Sequence, residues 1–162
     1  MNQNIIILTG EIQSGKTTLL QTFCKKYSNT AGILTPVING KRVFYTISSK
    51  EVFQMEATAA EVQLCVGKYI FSAAAFEKAA NQLLSASEEG DLDYLIVDEI
   101  GPLEIKLHQG FYNVLQKIMQ QDSFKTLILV VRPSLIKECH QLPGLQEALV
   151  LTKEEYTNYF QL

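Results

Sequence analysis

Asn4-Ile5-Ile6-Ile7-Leu8-Thr9-Gly10-Glu11-Ile12-Gln13-Ser14-Gly15-Lys16-Thr17-Thr18 is the stretch that decides the fold. An apolar, β-branched run meets a loop with the spacing G-x-x-x-x-G-K-[ST], and a helical pattern follows. Gly10 and Gly15 permit backbone angles and close approaches that a Cβ would hinder. Successive N–H groups can then turn inward as an anion nest, at the positive end of a new helix dipole. Lys16 is placed to neutralise β- and γ-phosphate charge, and the Thr17 hydroxyl to ligate Mg²⁺. The segment Gly10–Thr18, with Glu11, Ile12, Gln13, Ser14 and Thr18 supplying its remaining backbone, is the expected triphosphate seat. None of Glu11, Ile12 or Gln13 offers a base readout.

Outward from the loop, Leu19, Leu20, Phe23, Cys24 and Tyr27 recur at helical spacing with Lys25 and Lys26 outside. Gly32–Ile38 reads as a second strand whose Pro36 marks an edge or an end. Asn39-Gly40 signals a hairpin, so 42–48 should return antiparallel, with a further strand over 52–55. The segment 57–66 has no readable pattern, and 67–71 reads as strand or loop. Ser72 caps a helix carrying Phe76, Ala79, Ala80, Leu83 and Leu84, which polar residues over 85–91 should end. Tyr94-Leu95-Ile96-Val97-Asp98-Glu99 is a buried strand ending in two carboxylates. Gly101-Pro102 breaks the chain before a helix with Phe111, Leu115, Ile118 and Met119 inward. Lys125–Val131 is a third buried strand, after which Ser134 caps a short helix with Leu135, Ile136 and Cys139. Pro143-Gly144 turns the chain into a last strand over 148–151. Thr152-x-x-Glu155 is a capping box opening a terminal helix with Tyr156, Tyr159 and Phe160. Strands alternating with helices predict an α/β architecture: a mostly parallel central sheet with helices on both faces and a small antiparallel hairpin, in one domain over 1–162.

Ligands of open α/β sheets bind beyond the C-terminal strand ends, so Asp98 and Glu99 should share a rim with the loop. Asp98 is expected to hold Mg²⁺ and Glu99 to activate water as general base. An adjacent Asp-Glu pair favours hydrolysis over transfer, because a kinase excludes water. Arginine occurs only as Arg42 and Arg132, too few for the usual clamp on a phosphoryl acceptor. The transition-state cation is left open among Arg42, Arg132, Lys68 and a residue from a partner. Arg132 follows a strand on the expected rim and is assigned to the nucleotide pocket. Arg42 reads more readily as an exposed hairpin residue.

The net charge of −3 gives no footprint for nucleic acid or an anionic membrane. Cys24, Cys65 and Cys139 lack the pairing of a zinc site or disulfide framework, and His108 and His140 lack ligand spacing. No basic region precedes Ile5, no stretch is long enough to span a bilayer, and the cytoplasm is the default location. Thr152-Lys153-Glu154-Glu155 lacks the Asn and Asp of a guanine-reading motif.

Gly10–Thr18, Val66-Gly67-Lys68-Tyr69 and the block Leu95-Ile96-Val97-Asp98-Glu99-Ile100-Gly101-Pro102-Leu103-Glu104 together resemble the nucleoside-triphosphatase family of thermophile and cancer-related type. Leu103 stands where that family has Met. The resemblance implies a RecA-like phosphate-loop fold and slow Mg²⁺-dependent hydrolysis of ATP, GTP and other nucleoside triphosphates. It carries over Gly10–Thr18 for the nucleotide, Asp98 for the metal and Glu99 for water. Thr35 matches a family Thr, but Pro36, Val37, Ile38 and Asn39 replace the acidic residues and Arg usual after it. Tyr156-Thr157 lies where the terminal helix has Asn-Arg. Two other readings are a small-molecule kinase and a nucleotide-gated adaptor resembling the molybdopterin-guanine cofactor assembly protein. The sequence names no protein partner.

Overall fold

The structure, a computed structural model, describes residues 4–162, and the lead-in Met1-Asn2-Gln3 lies outside them. β1 (Asn4–Thr9) runs through the loop into α1 (Lys16–Lys26), followed by β2 (Thr30–Leu34), β3 (Val37–Ile38), β4 (Lys41–Thr46) and β5 (Val52–Gln54). Next come β6 (Gln63–Val66), β7 (Tyr69–Ser72), α2 (Ala73–Glu88), β8 (Leu92–Ile100), α3 (Pro102–Ile105) and α4 (Tyr112–Ile118). The chain closes with β9 (Phe124–Val131), a 3₁₀ turn at Pro133–Leu135, α5 (Ile136–Cys139), β10 (Leu149–Leu151) and α6 (Lys153–Phe160).

The main sheet runs β10-β1-β9-β8-β2-β4-β3, with β5 beside β4. β10, β1, β9, β8 and β2 are parallel, whereas β4 lies antiparallel to β2. β1, β8 and β9 are the strands with continuous apolar runs, as burial on both faces demands. Alternate residues feed two cores. Ile7, Ile33, Leu95, Val97, Leu127 and Leu129 pack with Phe76 and Leu83 of α2 and Val114 and Leu115 of α4. Ile6, Leu8, Leu34, Ile96, Ile128 and Val130 pack with Leu20 and Phe23 of α1 and Tyr156 and Phe160 of α6. The phosphate loop therefore leads into the helix of the second core. There Phe23 meets Tyr94 and Phe160 edge-on, at 4.8 and 4.9 Å between ring centroids.

One irregularity positions the site. Val97 pairs with Leu129 and Ile100 with Val131, so three residues of β8 span two of β9, a bulge at Asp98-Glu99. Asp98 meets the Thr17 hydroxyl at the start of α1, Glu99 meets Arg42 and Arg132, and the bulge returns Ile100 to the core of Leu95 and Val97. The adjacent carboxylates thus take different partners.

Several boundaries differ from expectation. The second strand splits at Thr35-Pro36, and the Asn39-Gly40 turn, with φ of 51° and 76°, joins β3 to β4. The hairpin strand ends at Thr46, β5 at Gln54 and β10 begins at Leu149. The unreadable segment contains β6, which pairs only with β7 as a separate two-stranded sheet. α2 continues through Ser85–Ser87, because the Ser87 hydroxyl donates to Leu84 O (2.7 Å) instead of breaking the helix; Gly90 (φ 78°) follows its end. Left-handed His108 and Gly110 divide the helix expected after Pro102 into α3 and α4. Ser134 caps nothing, since it lies inside the 3₁₀ turn and α5 starts at Ile136. Tyr159 is 56% exposed, because Tyr156 and Phe160, one turn apart, take the buried stripe. Among the described residues no helix is long and apolar enough to cross a membrane.

Gly32 makes the β2–β8 contact possible: its φ is 128°, and a Cβ there would lie 2.0 Å from the Ile96 carbonyl oxygen. Gly32→Ala should cost on the order of 3 kcal/mol through strain and overpacking. Chemical denaturation of parent and variant checks this, and an unchanged midpoint would contradict the packing described.

Candidate active site

The loop after β1 turns on left-handed residues: Gln13 has φ 57°, and Gly15, which precedes α1, has φ 84°. Alternation of this kind lets successive N–H groups converge, which a Cβ-bearing residue resists at Gly15. A Cβ at Gly10 would lie 2.9 Å from Ser14 Oγ and would turn that hydroxyl aside. Lys16 is buried, and its ammonium donates to the carbonyls of Gly10 (2.8 Å) and Glu11 (2.6 Å). Burial pushes its pKa below the ordinary lysine value, against the attraction of Glu99 and Asp98. Glu11, Ile12, Gln13 and Thr18 are exposed. Ser14 lies beneath the ammonium of Lys153 from α6, which donates to its carbonyl.

Thr17 Oγ1 donates to Asp98 Oδ2 at 2.7 Å, and Thr35 N–H donates to the same oxygen at 3.1 Å. Asp98 is 2% exposed and forms no salt bridge among the described residues. Burial raises its pKa, opposed by those two hydrogen bonds. A buried carboxylate beside a hydroxyl, without a cationic partner, has the hard oxygen donors that suit Mg²⁺.

Glu99 is held by both arginines of the chain. Arg42 Nη1 donates to Oε2 at 3.1 Å, and Arg132 Nε donates to Oε1 at 2.8 Å. Arg42 also reaches Thr35 Oγ1 at 3.4 Å. Its placement corrects the expectation of an exposed hairpin position: β4 runs antiparallel to β2 and carries Arg42 back over the end of β8. Lys68 lies at the β6–β7 turn, with its ammonium 5.5 Å from the Tyr69 ring centre. Sequence reading missed the contact of Lys153 with the loop, although the capping box at Thr152 is present as expected.

Glu104 is a further carboxylate that the sequence left without a task. It is 2% exposed and accepts from Gly101 N–H (3.0 Å) and Phe111 N–H (3.1 Å), tying the end of β8 to the start of α4. Desolvation dominates and pushes its pKa up to about 7.

A phosphate loop after β1, an Asp at the end of a parallel strand and a Thr-Asp contact between them define a phosphate-loop nucleotide-binding α/β protein. The comparisons agree. The sequence model of the NTPase family matches residues 5–158. Nucleoside-triphosphatase THEP1 of Thermotoga sp. (strain RQ2) is 31% identical over 134 residues, covering 80% of this chain and 74% of the relative. Its counterpart from Aquifex aeolicus (strain VF5) is 29% identical over 156 residues, covering 86% and 85%. The crystal structure of THEP1 from Aquifex aeolicus superposes with a TM-score of 0.68 at 24% identity, over 96% of this chain and 92% of that one. The solution structure of a human cancer-related nucleoside triphosphatase gives 0.68 at 19% identity, over 98% and 94%. At these identities the two structures speak for the fold alone. The chain belongs to the nucleoside-triphosphatase family.

Because the folded-state pKa of Glu104 lies above its ordinary 4.5, its protonated form favours folding. That contribution is complete below about pH 4.5 and is lost as pH rises through about 7, on the order of 3 kcal/mol in all. Urea denaturation from pH 4.5 to 8 should show stability falling more steeply in the parent than in Glu104→Gln. Parallel curves would contradict the assignment.

Proposed function

We propose that the protein hydrolyses Mg²⁺-bound nucleoside triphosphates, ATP and GTP among them, to the diphosphate and phosphate. The observation that carries this reading is Glu99, a carboxylate held between the only two arginines of the chain. With both guanidiniums beside this carboxylate and no further arginine to form a separate clamp on a phosphoryl acceptor, water is favoured as the nucleophile.

The Gly10–Thr18 loop binds the triphosphate through its backbone N–H groups and the α1 terminus. The Lys16 ammonium exchanges the carbonyls of Gly10 and Glu11 for phosphate oxygens, which relieves a cation that burial disfavours. Thr17 and Asp98 would hold Mg²⁺, which supplies charge neutralisation on the phosphates. The phosphate oxygens compete with Glu99 for Arg42 and Arg132. A guanidinium that moves onto the phosphate stabilises the transition state and frees a carboxylate oxygen. Glu99 then takes a proton from water as the water oxygen bonds to the γ-phosphorus. The γ-phosphorus bond to its bridging oxygen breaks, and the diphosphate leaves. No side chain of the loop reads a base, which supports broad nucleotide tolerance. With no membrane-crossing helix among the described residues, a cytoplasmic location remains the proposal.

Phosphate release from ATP, GTP, CTP and UTP should depend on Mg²⁺ and stop on chelation. Glu99→Gln should lower kcat at least about 100-fold while ATP binding, read by calorimetry, stays within a few-fold. Parent-like release by that variant removes Glu99 as the base. In the same assay, Arg42→Ala and Arg132→Ala should differ: the residue that supplies the transition-state cation loses about 100- to 1,000-fold in kcat. If both retain the parent rate, the cation comes from elsewhere.

A further inference from the structure

Beside Glu99 lies a cavity of about 750 Å³, within the range that accepts a drug-sized ligand. Its walls include Phe44, Met55, Phe71, Phe76 and Phe111, and Glu99 with the two arginines forms part of its rim. Ile12 and Gln13 of the loop line its edge while Lys16, Thr17 and Asp98 do not, so the cavity opens directly from the triphosphate seat and extends beyond it. Water and a triphosphate chain are polar and gain nothing from aromatic walls.

The outer wall is the β6–β7 hairpin, which adds no strand to the main sheet. Its inward Leu64, Val66 and Phe71 pack toward the α2 core, and Phe71 meets Phe76 edge-on at 5.6 Å. Hydrogen bonds from Ser72 N–H to Met55 O (2.9 Å) and from Ala57 N–H to Ile70 O (3.1 Å) fix it over the opening. Ile70 stands at the lip, 46% exposed. Lys68 also lines the cavity and pairs with no carboxylate among the described residues. Glu56 lines the cavity as well, and the apolar lining at Ile70 and Phe71 next to the Lys68 ammonium suits a flat apolar ring that carries a negative group.

We propose that this cavity binds an aromatic small-molecule anion at the same time as the nucleotide, its ring against Phe71 and Ile70 and its anionic group at Lys68. The proposal rests on Gly10–Thr18 being the triphosphate seat. Ring-to-ring contacts supply affinity, and a charge-assisted contact at Lys68 sets orientation. The occupant would lie against the carboxylate that handles water, so that it senses or adjusts turnover.

The probe is 8-anilinonaphthalene-1-sulfonate, an aromatic anion whose emission rises in apolar surroundings. Its fluorescence is titrated into the full chain, which has no tryptophan. One saturable site per chain is expected, retained when a non-hydrolysable ATP analogue with Mg²⁺ is present. Ile70→Glu, at an exposed position, and Lys68→Ala should each weaken the probe at least fivefold. For Ile70→Glu the affinity for the analogue, measured by calorimetry, should be unchanged. Absent or unsaturable binding overturns the proposal, as does binding that neither variant alters. Displacement by the ATP analogue but not by tripolyphosphate also overturns it, because the nucleotide base would then occupy the cavity. Failure of the analogue itself to bind is scored separately, against the triphosphate seat.

Discussion

The hydrogen bond from Thr17 Oγ1 to Asp98 Oδ2, 2.7 Å long and spanning 81 residues of sequence, is the constraint on which the site depends. It ties the start of α1 to the end of β8, and the Thr35 N–H on the same oxygen brings in the end of β2. A carboxylate this deeply buried is costly unless its lone pairs are used. The start of α1, the end of β8 and the end of β2 are thus held by one side chain. The parallel register of β1, β9, β8 and β2 puts their C-terminal ends on one rim and makes that bond reachable.

The β8 bulge then divides the work. Asp98 meets Thr17 at the start of α1. Glu99 meets Arg42 and Arg132 and lines the aromatic cavity with them. Neighbouring residues are separated in this way by their partners, the Thr17 hydroxyl and Thr35 N–H for Asp98 and two guanidiniums for Glu99. Glu104 supports this division from beneath, since its two accepted N–H bonds hold the segment that leaves β8 against α4.

What the sequence made legible was what depends on local spacing. Gly10–Thr18 could be read because its chemistry lies within one loop, and Asp98-Glu99 because four apolar residues lead directly into them. The order of strands and helices followed from periodicity. Arg42 was obscured because its task depends on how the β3–β4 hairpin folds back, a tertiary matter. The pairing of β6 with β7 was hidden by short strands with weak alternation, such as Gln63-Leu64-Cys65-Val66. The end of α2 was misplaced because polar serines read as a break, while the Ser87 hydroxyl is satisfied within the helix. Glu104 belonged to a recognisable block, but its partner Phe111 lies seven residues on, beyond two left-handed residues that no pattern announced.

The central claim is that Asp98 and Glu99, adjacent in sequence, serve different chemistries through different partners. The most direct test is calorimetric binding of a non-hydrolysable ATP analogue, with and without Mg²⁺, to the parent, Asp98→Asn and Glu99→Gln. Asp98→Asn should lose the Mg²⁺-dependent gain in affinity, and Glu99→Gln should keep it. Equal loss in both variants, or its retention in Asp98→Asn, would contradict the account.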